Sequence, residues 1–244
     1  MESRDDMSPF VRKLRHGARL TEDDEAILTR LAEPLHRVER GDILPEGTEA
    51  RSIVLIVEGW ACRYKQLENG QRQITSFFVP GDLCEPFGAV PELTDHTLSA
   101  LTPVRLARVA PHAARSAAGA SSRVEEALWW DLLLADAIGR EHMVNLGRRS
   151  AVERLGHFFC EMHLRLEMVG LVDQSSYDIP LTQAELADLF GLSAVHVNRS
   201  LQELRGSGFL SLRDRRITIH NVGALRELSM FDPAYLSLQH RVRT

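Results

Sequence analysis

Leu181-Thr-Gln-Ala-Glu-Leu-Ala-Asp-Leu-Phe-Gly-Leu-Ser-Ala-Val-His-Val-Asn-Arg-Ser-Leu-Gln-Glu-Leu-Arg205 has the layout of two short helices joined by a tight turn. Thr182 can cap the first helix, Glu185 three residues on completes a capping box, and Leu186, Leu189 and Phe190 fall at helical spacing. Gly191 ends that helix, since a tight interhelix turn wants the left-handed backbone that glycine adopts at little cost. Ser193 caps the second helix, and its Val197, Leu201 and Leu204 recur at four and three residues to face a core. The opposite face carries His196, Asn198, Arg199, Gln202 and Arg205. Arginine can donate two hydrogen bonds to guanine O6 and N7, and asparagine can pair with an adenine edge, each such contact worth about 1–3 kcal/mol of discrimination. Thr182 and Ser193, at helix starts, suit phosphate oxygens, which position a protein on DNA without reading sequence. Spacing alone leaves two readings open, a helix-turn-helix for the major groove and the solvated face of an ordinary helical pair.

The residues that follow favour the first. Gly206-Ser-Gly208 breaks the helix, and Phe209-Leu-Ser-Leu-Arg-Asp-Arg-Arg-Ile-Thr-Ile-His220 alternates apolar and polar residues on both sides of Asp214-Arg215, as a short hairpin would. Helix, turn, helix and hairpin make a winged helix-turn-helix. Arg213, Arg215 and Arg216 sit at or beside the hairpin tip, placed either for backbone phosphates or simply to keep a turn soluble.

Composition narrows the classes. At 244 residues the chain has room for two domains with real cores, and 44% hydrophobic with 26% charged residues is ordinary for a soluble globular protein. No apolar run approaches membrane-spanning length and the start is not a signal peptide, so a cytoplasmic protein with no membrane partner is expected. The formal net charge of −5 argues against a non-specific nucleic-acid coat protein, whereas a sequence-specific binder needs only a local basic surface. Residues 151–244 hold ten arginines and no lysine against eleven acids, so even the DNA-reading half is near neutral. Cys62, Cys84 and Cys160 are widely separated, which excludes a four-cysteine iron–sulfur cluster within one subunit and gives no disulfide framework or structural zinc site. Each reads as a small buried hydrophobe.

From about Gly41 the first half reads as strands. Gly41-Asp-Ile-Leu-Pro-Glu-Gly47 begins a series of turns, followed by Ser52–Val57, a Glu58-Gly59 turn, Trp60–Lys65, the Asn69-Gly70 hairpin signal and Gln73–Val79. Pro80-Gly-Asp82 is a further turn, and Leu98–Val109 supplies more β-prone residues around Pro103. Short strands at this spacing indicate a small antiparallel barrel or sandwich. Before them, Thr21–Leu31 reads as a capped amphipathic helix.

A long helix is expected from about Ser122 to Leu146. Its Leu128, Leu132, Ala135, His142 and Leu146 fall near a 4-3 repeat, with Gly139 filling the missing position, so it could zip against a twin or pack on its own barrel, as Trp129 and Trp130 would on the adjoining face. Ser150-Ala-Val-Glu153 forms another capping box and starts a helix to about Met168, which makes Gly147–Ser150 a hinge. Gly170–Pro180 is read as a loop, and the tail from Asn221 as a short helix with Phe231, Tyr235 and Leu236 packing back.

The expected fold class is therefore α+β. It comprises an N-terminal antiparallel β-roll, jelly-roll-like, with its preceding helices in residues 1–120, a long dimerisation helix and hinge in 121–149, and a winged helix-turn-helix with its tail in 150–244. In this order and at this length the chain resembles the Crp/Fnr family of bacterial transcription regulators. The resemblance rests on Arg40-Gly-Asp-Ile-Leu, Glu46-Gly, Ile56-Val-Glu-Gly59, Pro80-Gly-Asp-Leu83, Leu181-Thr-Gln-Ala-Glu-Leu-Ala and Gly191-Leu-Ser with Val197-Asn-Arg-Ser-Leu. It implies a homodimer joined by the long helix, two recognition helices about one DNA turn apart on a near-palindromic double-stranded operator, RNA polymerase as a further partner, and a signal in the roll that reorients the DNA-binding domains.

Departures from the family pattern define this member. Cyclic-nucleotide binders of the family carry Gly-Glu after the Pro-Gly-Asp turn and an Arg-Ser pair further on, whose arginine neutralises the cyclic phosphate. Here Cys84-Glu-Pro-Phe-Gly88 and Asp95-His-Thr-Leu-Ser99 occupy those stretches, and no arginine lies between Arg72 and Arg105. Burying a phosphate without a cation or a nest of backbone donors is costly, so cyclic AMP is not the expected ligand, and the effector stays open. Cys84 near His96 suits haem or a reactive thiol no better than a buried cysteine beside a surface histidine. Where many members place a glutamate that accepts from cytosine stands Val195, which offers a base only a thymine-methyl contact or nothing. Arg199 matches the family's guanine-reading arginine, while His196 and Asn198 differ, so operator sequence does not transfer.

The expected site is Thr182, Ser193, His196, Asn198, Arg199, Gln202 and Arg215, all for DNA, with no catalytic residue and no metal ligand. No Gly-rich phosphate loop, metal-ligand cluster or nucleophile motif points to an enzyme. The competing class is a small-ligand-binding or protein-interaction module with a vestigial helix-turn-helix.

Overall fold

The computed structural model describes residues 8–84 and 93–236. They divide into two compact units, one built from residues 8–65, 77–84 and 93–135, the other from 66–76 and 136–236.

The first unit opens with α1 (Pro9–Leu14) and α2 (Glu22–Leu31), the latter capped by Thr21 in a reciprocal box with Asp24. Along the chain seven strands come next among the described residues: β1 (Leu35–Val38), β2 (Gly41–Leu44), β3 (Ile53–Glu58), β4 (Ala61–Gln66), β5 (Arg72–Phe78), β6 (Thr97–Ala100) and β7 (Val104–Val109). They form two sheets, β1-β7-β3 and β2-β6-β4-β5, as the antiparallel roll requires. Ile43, Val54, Ile56, Ala61, Phe78, Cys84, Leu98, Ala100, Val104 and Leu106 make one apolar core, in which Cys84 is the buried hydrophobe the sequence suggested.

Two strands begin earlier than expected. β1 lies ahead of Gly41 and carries exposed His36 and Arg37, so it pairs with β7 without showing an apolar alternation. β2 occupies Gly41–Leu44, read above as turns, and a register shift between Asp42 and Leu44 breaks its pattern. The β-prone run Leu98–Val109 is two strands in different sheets, separated at Pro103, which has no N–H to give a ladder. At the Glu58-Gly59 turn, Gly59 has φ +83° and a Cβ there would meet the Pro103 carbonyl oxygen at 2.4 Å, so only glycine fits. Sequence stretch 85–92, including most of Cys84–Gly88, lies outside the described residues.

One buried cation joins three elements of this unit. Lys13 Nζ lies 2.7 Å from Asp82 Oδ1, in the Pro80-Gly-Asp turn, and 2.5 Å from Asp131 Oδ1, on the long helix. Burial alone would lower the Lys13 pKa, but Asp131 and Asp82 outweigh it and the net shift is upward, so the ammonium stays charged.

α3 (Pro111–Ala120) leads into the long helix α4 (Ser122–Arg148). Val124, Ala127, Trp130, Asp131 and Leu134 of α4 are buried in the first unit, whereas Trp129 is 60% exposed, so only one of the two tryptophans packs inward. Leu128, Leu132 and Leu146 of the anticipated repeat are half-buried. The exposed ridge runs one residue further round, through Trp129, Leu133 and Met143 with Val144 beside it.

In the second unit, Ser150 and Glu153 make the capping box that starts α5 (Ala151–Met168). The helix-turn-helix is α6 (Gln183–Phe190) and α7 (Ala194–Gly206), and its wing is the hairpin of β9 (Leu210–Arg213) and β10 (Arg216–Ile219). Between α5 and α6 the expected loop contains β8 (Ser176–Asp178), which adds a third strand to the wing in the order β8-β10-β9. The tail supplies α8 (Val222–Ser229) and a short 3₁₀ turn, Pro233–Leu236. Phe231 and Leu236 are buried as anticipated, and the Tyr235 hydroxyl donates to Glu161 at 2.8 Å. Phe231 and Tyr235 enclose His157, whose pKa falls to about 3 because burial, then Arg149 and His142, disfavour its charge.

Removing Lys13 takes away the buried ammonium that Asp82 and Asp131 share. Lys13→Met is expected to cost about 3–5 kcal/mol in urea denaturation, and adding Asp82→Asn and Asp131→Asn should recover much of it.

Candidate nucleic-acid interface

Local hydrogen bonds set the interhelix geometry. Thr182 Oγ1 accepts from the Glu185 N–H at 3.2 Å, and Glu185 Oε2 accepts from the Thr182 N–H at 2.7 Å and from its hydroxyl at 2.9 Å. Gly191, at φ +61°, closes α6, and the Leu192 N–H returns to the Ala187 carbonyl. Ser193 Oγ then accepts from the His196 N–H at 3.2 Å and starts α7. Val197, Ser200, Leu201 and Leu204 are buried beneath α7.

The predicted residues fall on one side of this frame. Thr182, Ser193, His196, Asn198, Arg199, Gln202 and Arg215 are all exposed. An α-helix turns about 100° per residue, which puts Val195, Arg199 and Gln202 in the middle of the outward face, directly across from Val197 and Leu204. His196 and Asn198 stand on its two flanks. Their roles divide by what each atom is already doing. Thr182 spends both its N–H and its O–H on Glu185, which leaves it no donor for a phosphate while the cap holds. Ser193 only accepts in its cap and keeps its O–H to donate. Asn198 Nδ2 donates to Gln183 Oε1 at 3.2 Å, so a residue on the first turn of α6 orients it. Gln183 was not singled out from sequence, because the bond joins positions fifteen residues apart with no periodic signal.

The wing is as tight as a two-residue connection permits. Asp214 (φ 50°) and Arg215 (φ 61°) are both left-handed, the conformation of the hairpin turn whose twist matches its strands. This presents Arg213 and Arg215 to solvent. Arg216 differs from the expectation of a tip cation, since it pairs with Asp178 at 3.0 Å and Asp173 at 3.5 Å.

Behind the interface sits a residue that no motif announced. Arg154, on the first turn of α5, donates to the carbonyls of Leu146 (2.7 Å), Arg149 (2.9 Å) and Phe190 (2.9 Å). Leu146 stands in the last turn of the long helix, Arg149 directly follows it and Phe190 ends α6, so one guanidinium satisfies carbonyls that would otherwise lack partners at two helix C-termini.

An antiparallel roll, a long helix and a winged helix-turn-helix with an exposed arginine-bearing face define a DNA-binding transcription regulator. The chain belongs to the Crp/Fnr family: residues 35–118 match the cyclic nucleotide-binding domain and residues 153–228 the Crp-like helix-turn-helix domain. It is 28% identical over 204 residues to the nitrogen fixation regulation protein FixK of Azorhizobium caulinodans, spanning 83% of this chain and 81% of that protein. The fumarate and nitrate reduction regulatory protein of Vibrio cholerae is 24% identical over 212 residues, spanning 86% and 84%. Among solved structures, FixK2 from Bradyrhizobium japonicum superposes with a TM-score of 0.69 at 27% identity, covering 80% of this chain and 96% of that one.

Arg154→Lys keeps the charge but offers a single nitrogen in place of a planar fork. It is expected to lose about 1–3 kcal/mol of stability in urea denaturation, with Arg154→Met losing more.

Proposed function

We propose that this regulator acts as a homodimer on a near-palindromic operator, with Arg199 reading a guanine in each half-site. The observation that carries the reading is the position of Arg199: exposed, central on the outward face of α7, and one turn from the helix start that enters the groove. Asn198, held by Gln183, together with His196 and Gln202 adds base or phosphate contacts, and Ser193 and Arg215 bind the DNA backbone. Residues 1–120 serve as sensor, 121–149 as dimerisation helix and hinge, and 150–244 as the DNA-binding domain. The protein works in the cytoplasm without catalysing a reaction, and RNA polymerase is the further partner of the promoter-bound dimer. No described helix is long and apolar enough to cross a membrane.

The exposed ridge of Trp129, Leu133 and Met143 supports the dimer. Leu133 lies four residues and Met143 two heptads beyond Trp129, the phase of one column in a coiled pair, and a row of large hydrophobics along one helix is explained by a twin.

Arg199→Ala should cost about 1–3 kcal/mol of operator binding and relax specificity at one symmetric pair of bases, read by fluorescence anisotropy on a selected operator. Binding should weaken steeply with salt, because neutralising phosphates releases counterions, and a flat salt response would favour a protein-interaction module instead. Leu133→Glu with Met143→Glu should yield monomers in analytical ultracentrifugation and lose operator binding, while the circular dichroism spectrum of the fold is retained.

A further inference from the structure

We infer that Val195 is a specificity-determining residue that packs against the C5-methyl of a thymine next to the guanine read by Arg199. The inference rests on the reading of α7 as the DNA-facing helix. At 79%, Val195 is the most exposed large hydrophobic among the described residues. It stands in the first turn of α7, two residues after the Ser193 cap, and about 40° round the helix from Arg199. Nothing in the free protein rewards a valine there. A β-branched side chain lowers helix propensity, and an isopropyl group in water gains no burial.

The surroundings decide which partner rewards it. Its neighbour Ala194 is too short to reach a base edge, and Arg199 and Gln202 are polar, so Val195 is the sole apolar group of any reach in the middle of the outward face. The N-terminal part of a recognition helix is the part that contacts base edges. In the major groove every base presents at least one hydrogen-bonding group, and only thymine presents a methyl. Facing cytosine or the adenine edge, the isopropyl group would strip water from a polar group and return no hydrogen bond. Val195 therefore selects thymine positively, by burying its methyl, and rejects its alternatives by leaving their polar edges unpaired.

The test uses the full-length protein and an operator selected from a random duplex pool. Each thymine of the half-site is replaced in turn, with its symmetric mate, by deoxyuridine, which removes the methyl and leaves pairing intact. Burying one methyl-sized group is worth about a fourfold change in binding, hence about fifteenfold for the symmetric pair. One such pair, adjacent to the position relaxed in Arg199→Ala, is expected to show that loss in the wild type and none in Val195→Ala. The Ala replacement lies on an exposed helical surface and suits a helix, and a thermal melt confirms its fold. A wild-type response that is flat at every uridine pair overturns the inference, and so does a Val195→Ala response as large as the wild type's. Selection that returns no preferred sequence overturns the inference together with the DNA-facing reading of α7. A preferred sequence with a flat uridine scan removes only the Val195 contact.

Discussion

Three backbone carbonyls converge on the guanidinium of Arg154, and the arrangement of the DNA-reading unit depends on that convergence. A helix C-terminus carries unpaired carbonyls and partial negative charge, and two of them pointing at one place would be unfavourable without a cation between them. Arg154 answers both, with its planar fork spread over Leu146, Arg149 and Phe190. The bond to Phe190 matters most for function, since Phe190 is the last residue of α6 and Gly191 turns the chain directly into the recognition helix. Apolar packing backs the same junction. Phe158, one turn on from Arg154 along α5, meets the Phe190 ring edge-on at 5.7 Å. Further along, the Tyr177 hydroxyl bonds the Phe159 carbonyl and draws β8 onto the same helix. α5 is thus the body on which the recognition pair and the wing are mounted, and this explains why it is buried along most of its length.

Within the recognition pair the polar groups divide into those that build and those that remain available. Glu185 is buried and caps α6 through Thr182. Thr182 is absorbed with it, although it looks like a phosphate ligand when judged by position alone. Arg199, Gln202 and Val195 take no part in holding the helix, whose core side is carried by Val197, Leu201 and Leu204. The exposed residues of α7 can therefore change without unfolding the domain. That separation is what allows a family to keep one frame and vary its operators.

How much of this could be read from sequence follows the range of the interactions. The helix-turn-helix was legible because its signals are local: a capping box at Thr182 and Glu185, a left-handed glycine at 191, a cap at Ser193 and core positions at helical spacing. The wing was legible from alternation, even though Asp214-Arg215 lacks the glycine that usually marks such a turn. What escaped depends on distant partners. β8 has three residues and exists because β10 offers it an edge, and β1 exists because β7 does. Arg154 and Gln183 look like ordinary helix-surface residues until the fold brings Phe190 and Asn198 to them. Arg216 looked like a wing-tip cation until β8 supplied Asp178.

The long helix shows the same limit in another form. Counting from Leu128 or from Trp129 places large hydrophobics at 4-3 spacing in either case, because neighbouring columns on one helix share a period and differ only in phase. Sequence periodicity therefore shows that α4 carries an apolar stripe without saying which column faces outward. Packing breaks the tie: Val124, Ala127, Trp130 and Leu134 go into the roll's own unit, Leu128 and Leu132 border it, and Trp129, Leu133 and Met143 are left outside. Between the last two stand Asp136 and Arg140, paired with each other one turn apart. A seam with a charged middle gains less from burial than an all-apolar one, since that pair must be desolvated with it. A twin docking on this column would be held mainly at its two apolar ends, and its pairing would be weaker through the centre than the length of the helix suggests.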